Sequence, residues 1–218
     1  MLSLRMKALV ESMPFLKEAE TRETFFKRIA KIYVPNDKRY KKIEKAYNCA
    51  KDAFRYRKRE SGERYFEHLR MVTLIVIDYL GVTDYRVIIA ALLHDIVEDK
   101  KEWTIERVAK EFNSYIAYLV QLLTKPPEEE CSSDQERDDI YHQRFEHAPR
   151  DFFLIKIPDR FHNITTIGYC SASKRRRKVL ETEIHYIHYA KKHNIMFYEL
   201  REAVAIAKLI RRRYKKVK

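Results

Sequence analysis

Three glycines, Gly62, Gly81 and Gly168, serve the whole 218-residue chain. Glycine supplies the positive φ that hairpins and tight turns need, so this scarcity argues against a sheet-rich fold. It also excludes a Gly-rich phosphate loop of either common type. Strand-like alternation is absent. Apolar residues recur instead at i, i+3, i+4 and i+7, the mark of helices with one inward face. The expected architecture is all-α, a compact helical bundle.

The periodicity predicts helices over Met6–Leu16 and Thr24–Tyr33, then a long one from Lys38 to Arg59 behind an Asn36-Asp37 cap. Another runs from Tyr65 to Leu80 and stops at Gly81. Further helices are expected over Thr104–Phe112, Tyr115–Leu123, Gln135–His147, Phe152–Thr166, Lys174–His193 and Met196–Tyr214, with a breaker-rich loop at 126–134. Residues 1–35 read as an N-terminal helical extension and 36–218 as one domain.

The chain is 45% hydrophobic and 35% charged, enough apolar content for a real core and too much for disorder. Cys49, Cys131 and Cys170 are scattered without a CxxC, which argues against a disulfide framework or a cysteine zinc site and makes the cytoplasm the default expectation. No apolar run is long enough to span a bilayer and no signal peptide is visible. The net charge of +13 suits either an anionic partner or an ordinary basic surface.

The richest stretch is Ala90-Ala-Leu-Leu-His-Asp-Ile-Val-Glu-Asp99. Val87–Leu93 is apolar on every side, as in a buried helix, and it ends in His94, Asp95, Glu98 and Asp99. On a continuous helix, with His94 at zero, these fall near roughly 0°, 100°, 40° and 140°, all on one face. Buried carboxylates and imidazoles need partners or a metal. The alternative is a helix that simply reaches solvent at Glu98. His68 sits on an inward stripe, as a core histidine or a ligand. Asp159, His162, Asn163 and Thr166 stand at i, i+3, i+4 and i+7 and form one polar stripe on an otherwise apolar helix containing Pro158.

His68, His94-Asp95 and Asp159 together make an H…HD…D constellation, whose imidazoles and carboxylates suit one divalent cation. This resembles the HD-domain phosphohydrolases. Arg59-Glu-Ser-Gly-Glu-Arg-Tyr65, His94-Asp-Ile-Val-Glu-Asp99 and Ile157-Pro-Asp-Arg-Phe-His-Asn-Ile-Thr-Thr166 are similar to signature segments of the Rel/SpoT alarmone hydrolase domain, as is the stretch Leu180–Tyr189. The likeness covers roughly residues 36–205.

The resemblance implies an all-α HD-domain bundle with one metal site in its core, holding manganese, or iron or zinc in its place. It implies removal of the 3′-pyrophosphate from ppGpp and pppGpp, with His68, His94, Asp95 and Asp159 as metal ligands. Glu98 and Asp99 would orient and activate water. Arg59 would pack on guanine, and Ser61, Tyr65, Asn163 and Thr166 would line the nucleotide pocket. Lys174 and Arg177 are candidate phosphate-binding residues, or a solvated helix start. The implied partner is a guanosine nucleotide, not a membrane or a nucleic acid. The length leaves no room for synthetase or regulatory domains, so a small stand-alone hydrolase is expected.

Departures from the family pattern are Glu60 where many members have Lys, Arg64 and Leu69 where they have Pro, and Thr165 where they have Arg. Glu60 and Thr165 each remove a positive charge near the nucleotide. They motivate an alternative substrate, another nucleotide or NADPH. A basic module that binds RNA or nucleotide without turnover is a third reading, which the HDxxED segment argues against.

Overall fold

The computed structural model describes Met13 and residues 20–210. Among them every regular element is a helix, apart from one isolated bridge between Lys58 and Arg64. Helix α1 spans Arg22–Ile32, α2 Lys38–Ala53 and α3 Tyr65–Leu74, which continues as a wider turn through Tyr79. Then come α4 (Tyr85–Leu93), α5 (Ile96–Asp99), α6 (Ile105–Glu111), α7 (Ser114–Leu123) and α8 (Asp134–Gln143). The long α9 (Arg150–Thr165) precedes α10 (Ala172–His185), α11 (Ile187–His193) and α12 (Phe197–Lys208). The expected helix Met6–Leu16 and the end of the last one lie outside the described residues.

Side-chain caps set several helix starts. The side chains of Asp37, Asp84, Thr104 and Ser171 each accept a backbone N–H from the first turn that follows. Helix α1 buries Phe25, Phe26 and Ile29, and its two phenylalanines meet Tyr47 of α2 at 5.0 and 5.2 Å. That apolar stripe docks this part of the expected extension on the core.

Two helices are buried on all sides. In α4 every residue from Val87 to Leu93 is buried, and in α9 so is every residue from Phe152 to Phe161. They touch each other, and α3 packs on both. Pro158 costs α9 one backbone hydrogen bond, yet the helix runs through it. No described helix is long and apolar enough to cross a membrane.

Several expected helices are shorter or broken. The first ends at Ala53, not Arg59. Residues 54–64 turn back, with Arg59 N–H bonded to Glu63 O at 2.9 Å and Gly62 at φ 96°. Beyond Phe54 the run Arg55–Glu60 has no inward stripe to hold a helix down, and Phe54 stacks on Tyr65 at 4.9 Å instead. The helix expected through the His94 motif breaks at Asp95 (φ −105°, ψ 1°), so the single-face wheel does not apply. The expected Lys174–His193 helix breaks at Tyr186, whose fully buried ring packs under the Arg160 guanidinium at 3.9 Å.

Candidate active site

Four side chains from three helices converge where α3, α4 and α9 meet. His68 comes from α3, His94 and Asp95 from the end of α4, and Asp159 from α9. His68 Nε2 lies 3.2 Å from Asp159 Oδ1 and 3.8 Å from Asp95 Oδ2. His94 Nε2 lies 3.3 Å from Asp95 Oδ2 and 3.7 Å from Asp159 Oδ1. Ligand atoms of His68, His94 and Asp159 all fall within 4.8 Å of one another, a group able to hold one divalent cation. The break at Asp95 turns its carboxylate to the edge of this group, where Tyr65 donates its hydroxyl to Oδ2 at 2.6 Å.

The donor set itself fits a metal. His94 Nε2 is buried and makes no hydrogen bond, although two carboxylates face it. Its other nitrogen meets Ala91 O at 2.7 Å, the usual outer bond of a metal-ligating histidine. Burial opposes a charge on His94, but Asp95 and Asp159 outweigh it and lift its pKa to about 9. A spot that favours a proton so strongly also favours a cation. Burial and Arg59 hold His68 neutral, with a pKa lowered to about 4.

Outer groups orient these ligands. Asp159 Oδ1 accepts Asn163 Nδ2 at 2.6 Å, and Oδ2 accepts the buried Lys156 Nζ at 3.0 Å. His68 Nδ1 meets His162 Nδ1 at 2.9 Å. Burial would raise the Asp159 carboxyl, but Lys156 and the imidazoles hold it well below the usual range. Lys156 lies three residues before Asp159, so the same i, i+3 spacing that put His162 on the polar stripe could have singled it out as well.

A cleft of about 310 Å³ opens beside the centre. The 54–64 turn supplies Arg57, Arg59 and Ser61 to its wall, α9 supplies Asn163, and Thr166 follows it. Tyr65 and Lys174 complete the set of expected residues found there. Arg59 donates to Asn163 Oδ1 at 2.7 Å, to Thr166 Oγ1 at 3.2 Å and to His162 Nδ1 at 3.0 Å, so it bridges the α9 polar stripe. Arg177 is exposed and outside the cleft, against expectation; Lys178 lines the wall instead. Both are within one turn of Lys174, and sequence spacing alone does not separate i+3 from i+4. Burial lowers the Lys178 pKa to about 8. The departure at Glu60 is answered by Lys174, whose Nζ donates to it at 2.7 Å.

Glu98 and Asp99 flank the centre; the Asp99 backbone N–H donates to Asp95 O at 3.1 Å, and their carboxylates pair elsewhere. Glu98 lines a second cavity, and its Oε2 accepts the Lys125 backbone N–H at 3.1 Å. Burial, then the charge of Asp95, raise its pKa. Asp99 pairs with Arg57 at 2.5 Å, and burial raises its pKa against that pairing.

Sequence comparison finds relatives for this arrangement. Over 158 residues the chain is 32% identical to the bifunctional (p)ppGpp synthase/hydrolase SpoT of Escherichia coli, covering 71% of this chain and 22% of that protein. Over 142 residues it is 34% identical to the guanosine-3′,5′-bis(diphosphate) 3′-pyrophosphohydrolase of Aquifex aeolicus, covering 64% and 20%. A GTP pyrophosphokinase of Streptomyces coelicolor is 33% identical over 144 residues, covering 65% and 16%. The chain thus spans about a fifth of the length of these curated relatives. The fold is shared with a solved metazoan ortholog of SpoT, described as hydrolysing ppGpp, at a TM-score of 0.68 and 22% identity, over 75% of this chain and 94% of that one. Residues 46–196 match the HD domain, His68, His94-Asp95 and Asp159 all lie inside that span, and the chain belongs to the HD-domain family.

Proposed function

We propose that the chain is a metal-dependent hydrolase that removes the 3′-pyrophosphate of ppGpp and pppGpp, leaving GDP or GTP. The observation that carries this reading is a buried His/His/Asp cluster that opens beside a cleft walled by Arg57, Arg59, Lys174 and Lys178. The names of the relatives support it.

His68 Nε2, His94 Nε2, Asp159 and Asp95 would hold the cation. Mixed imidazole and carboxylate ligands suit manganese, iron or zinc. Bound there, the cation supplies Lewis acidity toward phosphoryl oxygens and acidifies water. The residues of the chain do the rest. Glu98 accepts a proton from water, and its raised pKa brings it toward the working pH of a general base. Asp99, fixed by Arg57, orients that water. The cationic wall binds the substrate phosphates through charged hydrogen bonds. Arg59 offers a planar guanidinium that can stack on a base once it leaves Asn163 and Thr166.

Purified protein with manganese should release pyrophosphate from ppGpp, and Asp95→Ala should stop it. Full activity in that variant removes Asp95 from the site.

One observation favours a second substrate. The Glu60–Lys174 pair neutralises a lysine at the cleft, so a less charged nucleotide, or NADPH, would suit the wall better than in relatives with Lys there. Parallel assays on ppGpp, pppGpp, NADPH and other purine nucleotides decide, and a strong preference for ppGpp rules this reading out.

A further inference from the structure

We propose that His162 is a positioning residue. Pinned by Arg59, it fixes the His68 tautomer whose Nε2 lone pair faces the metal centre, and it thereby ties the cleft to that centre. The inference rests on the metal-centre reading above.

Arginine only donates hydrogen bonds. Arg59 Nη1 lies 3.0 Å from His162 Nδ1, so that nitrogen is an acceptor. His68 Nδ1 lies 2.9 Å from the same atom, so His68 Nδ1 carries the hydrogen. A neutral imidazole has a single N–H, which leaves the lone pair of His68 on Nε2, the nitrogen 3.2 Å from Asp159 Oδ1.

His94 gains the same tautomer differently. Its Nδ1 donates to the Ala91 carbonyl at 2.7 Å, and a carbonyl accepts whatever happens around it. The partner of His68 is conditional. A histidine turns acceptor or donor with its own tautomer, and here Arg59 makes the choice. Arg59 also lines the cleft and donates to Asn163 and Thr166 there. A cleft ligand that recruits the guanidinium releases His162. By linkage, occupation of the cleft and affinity at the centre then change one another.

Manganese titration of the nucleotide-free protein by calorimetry tests the positioning role. His162→Leu should weaken manganese by about 10- to 100-fold, as loss of such outer partners does. His162→Asn, whose Oδ1 stands where Nδ1 did, should restore affinity to within about threefold of the parent. Equal binding in parent and Leu variant, or an Asn variant as weak as Leu, overturns the role. If the Leu variant does not fold, Asn is compared with Gln, whose amide oxygen overshoots the Nδ1 position; equal affinities overturn it again. For the link to the cleft, GDP should shift manganese affinity in the parent and not in Arg59→Met; equal shifts, or none in the parent, overturn it. A parent protein that takes up no manganese overturns the metal centre first, and the relay with it.

Discussion

Asp159 and Arg160 are neighbours on α9, yet they anchor buried polar clusters of opposite kinds. Arg160 reaches Glu181 with two hydrogen bonds, at 2.6 and 3.1 Å, and the Tyr186 hydroxyl at 2.5 Å. Lys178 adds a contact to Glu181 at 3.3 Å. Burial opposes the Glu181 charge, but Arg160 and its neighbours hold the carboxyl far below its usual range. That cluster pairs its one carboxylate directly with two cations and joins α9 to α10, although Arg160 Nε and both nitrogens of the neighbouring His142 make no hydrogen bond. Around Asp159, two carboxylates face two imidazole nitrogens, and His94 Nε2 has no bond at all. A buried carboxylate answered by cationic side chains is a strut, whereas carboxylates that converge with imidazole nitrogens are a site for a cation.

The largest expected difference is in activity. Asp159→Asn should abolish pyrophosphate release, a loss beyond the roughly 10²–10³ that one oxyanion donor contributes elsewhere. Glu181→Gln should retain most of it in the same ppGpp assay. Substantial turnover by Asp159→Asn erases the contrast.

Stability should move the other way. Glu181→Ala leaves the Arg160 guanidinium buried and unpaired, and should cost about 3–5 kcal/mol in urea unfolding. A cost below about 1 kcal/mol would make the Arg160 cluster an ordinary surface pair.

Manganese at 100 times its Kd should stabilise the parent by about 2.7 kcal/mol and raise Tm. Glu181→Gln should keep this rise and Asp159→Asn should lose it. A rise in both would place the cation elsewhere.

The smallest effect belongs to Lys178, which links strut and cleft. Its pKa is lowered to about 8, so it is charged below that pH and neutral above it. Nucleotide affinity should therefore fall as pH rises through about 8, by about tenfold for one charged hydrogen bond. Lys178→Arg should flatten that fall in a fluorescence binding titration. An unchanged profile would remove Lys178 from the binding wall.

Much of this was legible in the chain. Scarce glycine and helical periodicity gave the all-α class, because both reflect local backbone preference. The H…HD…D residues were visible because inward polar side chains break an apolar stripe. Spacing did not reveal the break at Asp95 or the return of residues 54–64, since both answer to partners distant in sequence: Tyr65 for Asp95, and the cleft wall for Arg57 and Arg59. Spacing did not reveal that Lys178 lines the cleft and Arg177 faces outward, because helix rotation is fixed by what α10 packs against, and its own sequence is charged on several faces.

By itself the sequence determined which helices form and which polar residues are forced inward, because periodicity and burial cost act over a turn or two. Only the tertiary structure decided how those residues meet. The contacts of His162 with Arg59 and His68 and the direction of Glu98 toward Lys125 depend on distances of about 3 Å between groups on different helices or turns. Between groups on different elements, hydrogen bonds and charge pairs act only once packing has brought their atoms together.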